Sequence, residues 1–200
     1  NQKLKNNSYV DFSSDISVGQ TTNNQREIST ATFYDGSKTD RNRNVNSKNI
    51  SKNNSYNFEL KYTLPITDSI KIAVGSSYNI TDSETNNSSL NYNEATGEFD
   101  NINTDLSRLF TTTQNKLNPY AQFLLNKSKL SASVRLGTNV YNQDNFGNYK
   151  GANYNLTQKE VLPDLSGNIR YQKNNNSIML MYSYNTSLAS SSQVLPIEDN

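Results

Sequence analysis

Apolar residues recur at every second position along most of the chain, and no stretch shows a helical period. The stretch "SYVDFSSDISVG" carries Val10, Phe12, Ile16 and Val18. "SYNFELKYTLPI" carries Tyr56, Phe58, Leu60, Tyr62 and Leu64, and a turn at 67–69 leads into Ile70, Ile72, Val74, Tyr78 and Ile80. "KLNPYAQFLL" gives Leu117, Ala121, Phe123 and Leu125; after a turn at 126–129 come Leu130, Ala132, Val134, Leu136 and Val140. "VLPDLSGNIRY" gives Leu165, Gly167, Ile169 and Tyr171, then a turn at 173–176 and Ile178, Leu180, Tyr182, Tyr184 and Leu188. A period of two puts alternate side chains on opposite faces of a strand.

This pattern predicts seven main strands, six of them in three tight hairpins. Polar tracts at 20–52, 81–115 and 142–155 stand as long connections. Within the second, Tyr92 and Phe99 flank Gly97 and predict a small hairpin. Pro119 and Pro163 are expected near strand entrances, where a missing N–H is tolerated. The expected fold is all-β: an antiparallel up-and-down meander, tight turns at one edge and long loops at the other.

Strand length separates the architectures. Soluble sandwiches use strands of about 5–6 residues. Residues 70–80 alone span roughly 36 Å at about 3.3 Å per residue. Tilted by about 40°, they rise roughly 28 Å, close to the ~25 Å apolar band of an outer-membrane barrel. The meander is therefore expected to be part of a transmembrane β-barrel wall.

With the apolar side toward lipid, the other side offers Glu59, Lys61, Lys71, Arg135, Asp164 and Arg170 among small and amide side chains, including Gly75 and Gly137. These six charged residues are the candidate lumen-facing set; a solvated sheet face would look similar. Tyr56, Tyr78, Tyr171, Tyr182 and Tyr184 suit interfacial girdles, or the ordinary β-propensity of tyrosine. Tyr92, Phe146 and Tyr149 are the candidate surface-loop contacts for a ligand; Phe33 and Tyr34 fit a strand extension better.

Composition removes several classes. Of 200 residues only 32% are hydrophobic, against about 45–50% in ordinary domains, and mean hydropathy is −0.83. Disorder is disfavoured by a net charge of only +1 and by 13 Tyr and 7 Phe. No Cys and no His occur, so disulfides, thiol nucleophiles and the commonest general base and metal ligand are missing. No run of about 18 apolar residues forms a transmembrane helix, and the first ten residues lack a signal-peptide core. The near-balanced charge gives no nucleic-acid footprint. "DRNRN" at 40–44 starts like a calcium loop but lacks its Gly and closing Glu. Glu94 and Glu98 have no partner constellation. The expectation is no enzyme, no metal and no cofactor.

Several stretches resemble one family. "LPDLSGNIRYQKNNNSIMLMYSYNTSLASSSQVLPIEDN", "YNEATGEFDNINTDLSRLF" and "LNPYAQFLLNKSKLSASVRLG" are similar to barrel hairpins and outer loops of the TonB-dependent-receptor-like outer-membrane β-barrel proteins of Bacteroidota. The likeness runs from about residue 56 onward, in layout more than in invariant residues. It implies a barrel of about 22 strands around a plug, in a Gram-negative outer membrane. It also implies energised uptake of a bulky nutrient, coupled to a TonB-type complex through parts outside these residues. Residues 1–200 are then expected to be one segment of a larger barrel domain, in contact with outer-membrane lipid. The rival expectation is a secreted or surface-attached β-rich adhesin. An outer-membrane enzyme barrel would need a base from elsewhere in the protein.

Overall fold

The computed structural model describes residues 2–3, 7–31, 41–174 and 176–189. Among the described residues nine strands form one antiparallel sheet: β1 (Gln2–Lys3), β2 (Tyr9–Ala31), β3 (Arg41–Pro65), β4 (Ile70–Asn93), β5 (Glu98–Ile102), β6 (Arg108–Lys127), β7 (Leu130–Tyr149), β8 (Ala152–Lys173) and β9 (Asn176–Tyr184). The sheet order follows the chain, except that β5 pairs with the end of β4 and lies off the main path. No α-helix occurs among the described residues. The meander expected from the alternation is the fold, curled into a partial barrel.

The tight turns are where the pattern sets them. They follow β3, β6 and β8, so all three lie along one end of the sheet. Backbone bonds join that end: Asn126 N donates to Ser69 O at 2.7 Å, and Gln172 N donates to Lys129 O at 2.8 Å. Between β8 and β9, Asn174 is in a turn with φ +54°, and residue 175 is outside the described residues.

The other end corrects the expectation. Most of the tracts 81–115 and 142–155 is strand, and β2 and β3 stay paired out to Ala31 and Arg41. Phe33, Tyr34 and Asp40 lie outside the described residues. The five long strands from β2 to β7 other than β5 have 20 to 25 residues each, or roughly 65–80 Å of backbone. Periodicity is silent there because both faces are polar. Ladder hydrogen bonds continue regardless, since a strand fixed in register by its apolar part pairs onward residue by residue.

The expected small hairpin is present. Tyr92 opposes Phe99, their rings edge-on at 5.3 Å, and Gly97 takes φ +73° in the turn. β5 and β6 then lie end to end along β4. Leu90 pairs with Ile102 and Asn87 with Arg108, so β4 advances three residues (87 to 90) against six (102 to 108). The surplus leaves the sheet as residues 103–107, and Asn103 N donates back to Ser89 O at 2.8 Å.

Both prolines sit deep inside strands, not at their entrances. Pro119 faces Ser76 of β4, and on its other side the β6–β7 ladder skips from Leu117↔Val140 to Tyr120↔Gly137. The missing proline N–H leaves Thr138 O without its ladder donor. Asn118 Nδ2 supplies one, at 3.0 Å. Pro163 has a similar effect on β9. The register would place Thr186 opposite it, yet pairing stops at Leu165↔Tyr184. Leu188 therefore lies beyond the strand, not in it.

β7 turns into β8 through two residues only, Lys150 at φ +51° and Gly151 at φ +75°. Positive φ at both positions is the type I′ geometry that matches strand twist and favours Asn-Gly. Lys150→Asn should therefore stabilise the folded protein slightly. Gly151→Ala should destabilise it by about 1 kcal/mol. Urea midpoints of the refolded protein check both signs.

Candidate functional site on the concave face

The six charged candidates fall on one face by register. Glu59 and Lys61 in β3, Lys71 in β4, Arg135 in β7, and Asp164 and Arg170 in β8 share the parity of Gly75, Tyr120 and Gly137. This face is concave, because its side chains reach across intervening strands. Tyr120 Oη of β6 donates to Glu59 Oε1 of β3 at 2.5 Å, over β4. Asn118 Nδ2 of β6 contacts Asp164 Oδ2 of β8 at 2.9 Å, over β7.

Glycine makes these reaches possible. Tyr120 is flanked in register by Gly75 and Gly137. A Cβ on Gly75 would lie 2.7 Å from Tyr120 Oη and 2.8 Å from Leu60 O. The phenol thus lies over the bare backbone of β4, and the sheet bends inward around it.

Around Tyr120 the charges form one network. The Arg135 guanidinium stacks on the Tyr120 ring at 3.6 Å from its centroid. Its Nη2 donates to Asn118 Oδ1 at 2.5 Å. Asn118 Nδ2 is shared among Thr138 O, Asn139 Oδ1 and Asp164 Oδ2 at 2.8 to 3.0 Å. Lys61 pairs with Asp11 of β2 at 3.7 Å beside it. Glu59, Arg135 and Asp164 are therefore brought together, with Lys61 adjoining. Lys71 and Arg170 stand nearer the tight turns; Lys71 Nζ lies 6.0 Å from the Tyr9 ring centroid and Arg170 is exposed.

A second polar row runs toward the far end. Gln114 Nε2 donates to Gln143 Oε1 at 2.5 Å. Gln143 Nε2 faces Asn145 Oδ1, Gln158 Oε1 and Ala189 O at 3.1 to 3.2 Å. Asn118, Tyr120, Tyr141 and Gln143 were not legible as site residues. The available signals were an Asn directly before Pro119, and a Tyr that alignment of the β6–β7 hairpin sets opposite Gly137.

The surface-loop set does not assemble. Tyr92 lies in the β4–β5 hairpin, whereas Phe146 and Tyr149 belong to β7. Phe146 is half-buried on the convex side; Tyr149 is buried on the concave side. Residues 142–155 form a paired hairpin, so these rings are wall residues, not tips of a loop.

The convex face reverses the burial of a soluble sheet. Along β6, Leu117 and Phe123 are each 42% exposed while Asn118 and Tyr120 between them are 3% and 6%. Register builds apolar rows such as Phe58–Tyr78–Leu117–Val140–Val161 and Leu64–Ile72–Phe123–Val134. Beyond Ile80 the convex side of β4 turns polar, and Lys52 bonds Glu84 there at 3.1 Å. The belt thus runs from the tight turns to about the middle of each long strand.

No protein-family model matches the sequence, and no curated protein matches it. Fold and faces define the class: an all-β antiparallel meander, curled as part of a β-barrel wall, apolar outside and polar inside.

Gly75→Ala should destabilise the wall by about 1–3 kcal/mol, because Leu60 O is backbone and cannot move aside. Tyr120→Phe should cost less, about 1 kcal/mol, by removing one donor from Glu59. Unfolding midpoints in lipid vesicles should rank wild type, then Tyr120→Phe, then Gly75→Ala. A Gly75→Ala midpoint equal to wild type would refute the close approach.

Proposed function

We propose that this chain is a wall segment of an outer-membrane β-barrel receptor or transporter in a Gram-negative bacterium. The observation that carries the reading is the inverted alternation: apolar side chains open on the convex face, polar ones buried on the concave face. Water penalises such a convex face and hydrocarbon does not. The belt of about eleven residues on β4, roughly 28 Å when tilted, suits the apolar height of these barrels. Polar strand beyond the belt then stands outside the membrane.

Transport of a bulky nutrient by a TonB-dependent route rests on the resemblance described above. The concave network supports it to this extent: it sets Glu59, Asp164 and Asp11 against Arg135 and Lys61, so the wall offers a passing solute a polar surface with charges of both signs. Lipid is the partner of the convex face. Energy coupling belongs to other parts of such a protein.

Fractionation of the full-length protein tests the membrane reading; recovery in the soluble fraction without detergent would sink it. Substitution tests the faces. Leu136→Arg puts a charge at mid-belt on the convex side and should cost roughly 2–4 kcal/mol of membrane folding. Ser77→Arg, on the concave side, should be tolerated. Equal tolerance would mean that the faces are misassigned.

Orientation has its own check. Outer-membrane barrels turn back close to the membrane on the periplasmic side and extend further on the outer side; here the apolar belt starts at the turns after β3, β6 and β8, and the strands run well past it at the other end. Cysteines at Ser69 and Ser128 should therefore resist an impermeant thiol reagent on intact cells, and one at Thr96 should react. The reverse pattern would overturn the orientation.

A further inference from the structure

We propose that residues 185–189 form a releasable strap over the concave face of β7 and β8, diverted there by Pro163 and held by Tyr141. The strap itself is a matter of geometry; its role as a gate rests on the barrel reading.

The diversion follows from backbone donors. Leu165 and Tyr184 make the last pair of the β8–β9 ladder. Residues of the same parity in a strand turn their N–H and C=O toward the same neighbour. The next pair toward β9 would thus join Pro163 and Thr186. Pro163 has no N–H to give, so Thr186 O is orphaned. Tyr141, two strands back on the concave face, donates its Oη to that carbonyl at 2.8 Å. Thr186 Oγ1 in turn donates to Pro163 O at 3.2 Å, replacing its own N–H in the ladder. The chain leaves the sheet inward, and Gln143 Nε2 contacts Ala189 O at 3.1 Å. Tyr141 and Gln143 beneath it are only 4% and 2% exposed.

The grip is uneven, and this makes the strap releasable. Gln143 Nε2 carries two hydrogens and faces three acceptors, two of them wall amides. Gln143 stays satisfied when the strap departs. Tyr141 on Thr186 O and Thr186 Oγ1 on Pro163 O are then the two bonds that the wall does not duplicate, and Tyr141 supplies the shorter. A freed strap cannot zip onto β8, because Pro163 blocks the next rung. It has two states, in-folded or detached, and the in-folded state narrows the passage along the concave wall.

Thiol labelling of the folded full-length protein in detergent micelles tests this, with any cysteine outside residues 1–200 replaced, since these residues contain none. Gln143→Cys is the reporter beneath the strap, Thr96→Cys the exposed reference and Gln122→Cys a control elsewhere on the concave face. Gln143→Cys should label slowly. Tyr141→Phe should accelerate it by up to roughly tenfold, the worth of one hydrogen bond. Pro163→Ala should accelerate it too, although it adds a ladder donor, because the new N–H competes with Tyr141 for Thr186 O. Gln122→Cys should not change. The proposal is overturned if Gln143→Cys labels as fast as Thr96→Cys in the parent, if neither variant alters its rate, or if Gln122→Cys accelerates in parallel. Failure of the full-length protein to enter membranes removes the barrel reading and the gate with it. Unchanged labelling in a protein that does enter them removes the strap alone.

Discussion

A wall with one face in hydrocarbon, as proposed for this sheet, must satisfy every backbone N–H and C=O within itself, because no water is there to complete the set. Two prolines inside the apolar belt break that rule, and the repairs organise the concave face. At Pro119 the repair is the Asn118 amide on Thr138 O. At Pro163 it is the Tyr141 hydroxyl on Thr186 O. Both repair groups point inward because Asn118 and Tyr141 share the concave parity of Tyr120 and Gly137 in their strands. Each then recruits further polar partners: Asn118 draws in Arg135, Asn139 and Asp164, and Tyr141 fixes the segment after β9. The polar interior is thus in part a consequence of where the ladder is broken.

Curvature comes from a different pairing of large and small. Along the row Lys61–Gly75–Tyr120–Gly137–Asp164, one aromatic residue sits between two glycines. Without a Cβ at 75 the ring can lie flat over β4 and reach Glu59. The bend shortens the distance between strands two apart, and only then do the charges meet. Parity alone places Glu59, Arg135 and Asp164 on one face; the glycine seat brings them within hydrogen-bonding distance through Tyr120 and Asn118. A flat sheet of the same sequence would leave each charge to water.

What the sequence made legible follows from what a period of two can report. It is a difference signal, strong where one face is apolar and the other polar. Strand parity, the three turns and the charged candidates all came from the belt, and all stand where that signal is strong. Beyond Ile80, Asn115 and Val140 both faces carry Asn, Ser, Thr and Gln, so the difference vanishes while the strand continues. Asn and Ser have little β-propensity of their own, and register inherited from the belt decides instead. The short β7–β8 turn was hidden for the same reason: its Lys-Gly pair lies between two tracts with no contrast. Asn118 and Tyr120 needed knowledge of which strands become neighbours, and no single strand contains it.

The extension changes what the far end of the molecule can do. Flexible loops lose and gain length at small cost. A paired hairpin does not, because removing an odd residue from one strand turns every later side chain to the opposite face. Residues 142–155 are such a hairpin, with Tyr149, Gln143 and Asn145 buried on the inner side and Phe146 half-buried on the outer. A cut confined to β7 would rotate the buried amides outward and break their bonds to Gln114 and Gln158. Equal cuts from β7 and β8 around the Lys150–Gly151 turn would leave the register intact. On the barrel reading, the polar end is then a stiff upward continuation of the wall, and a solute would meet ordered amides along it before it reached the belt.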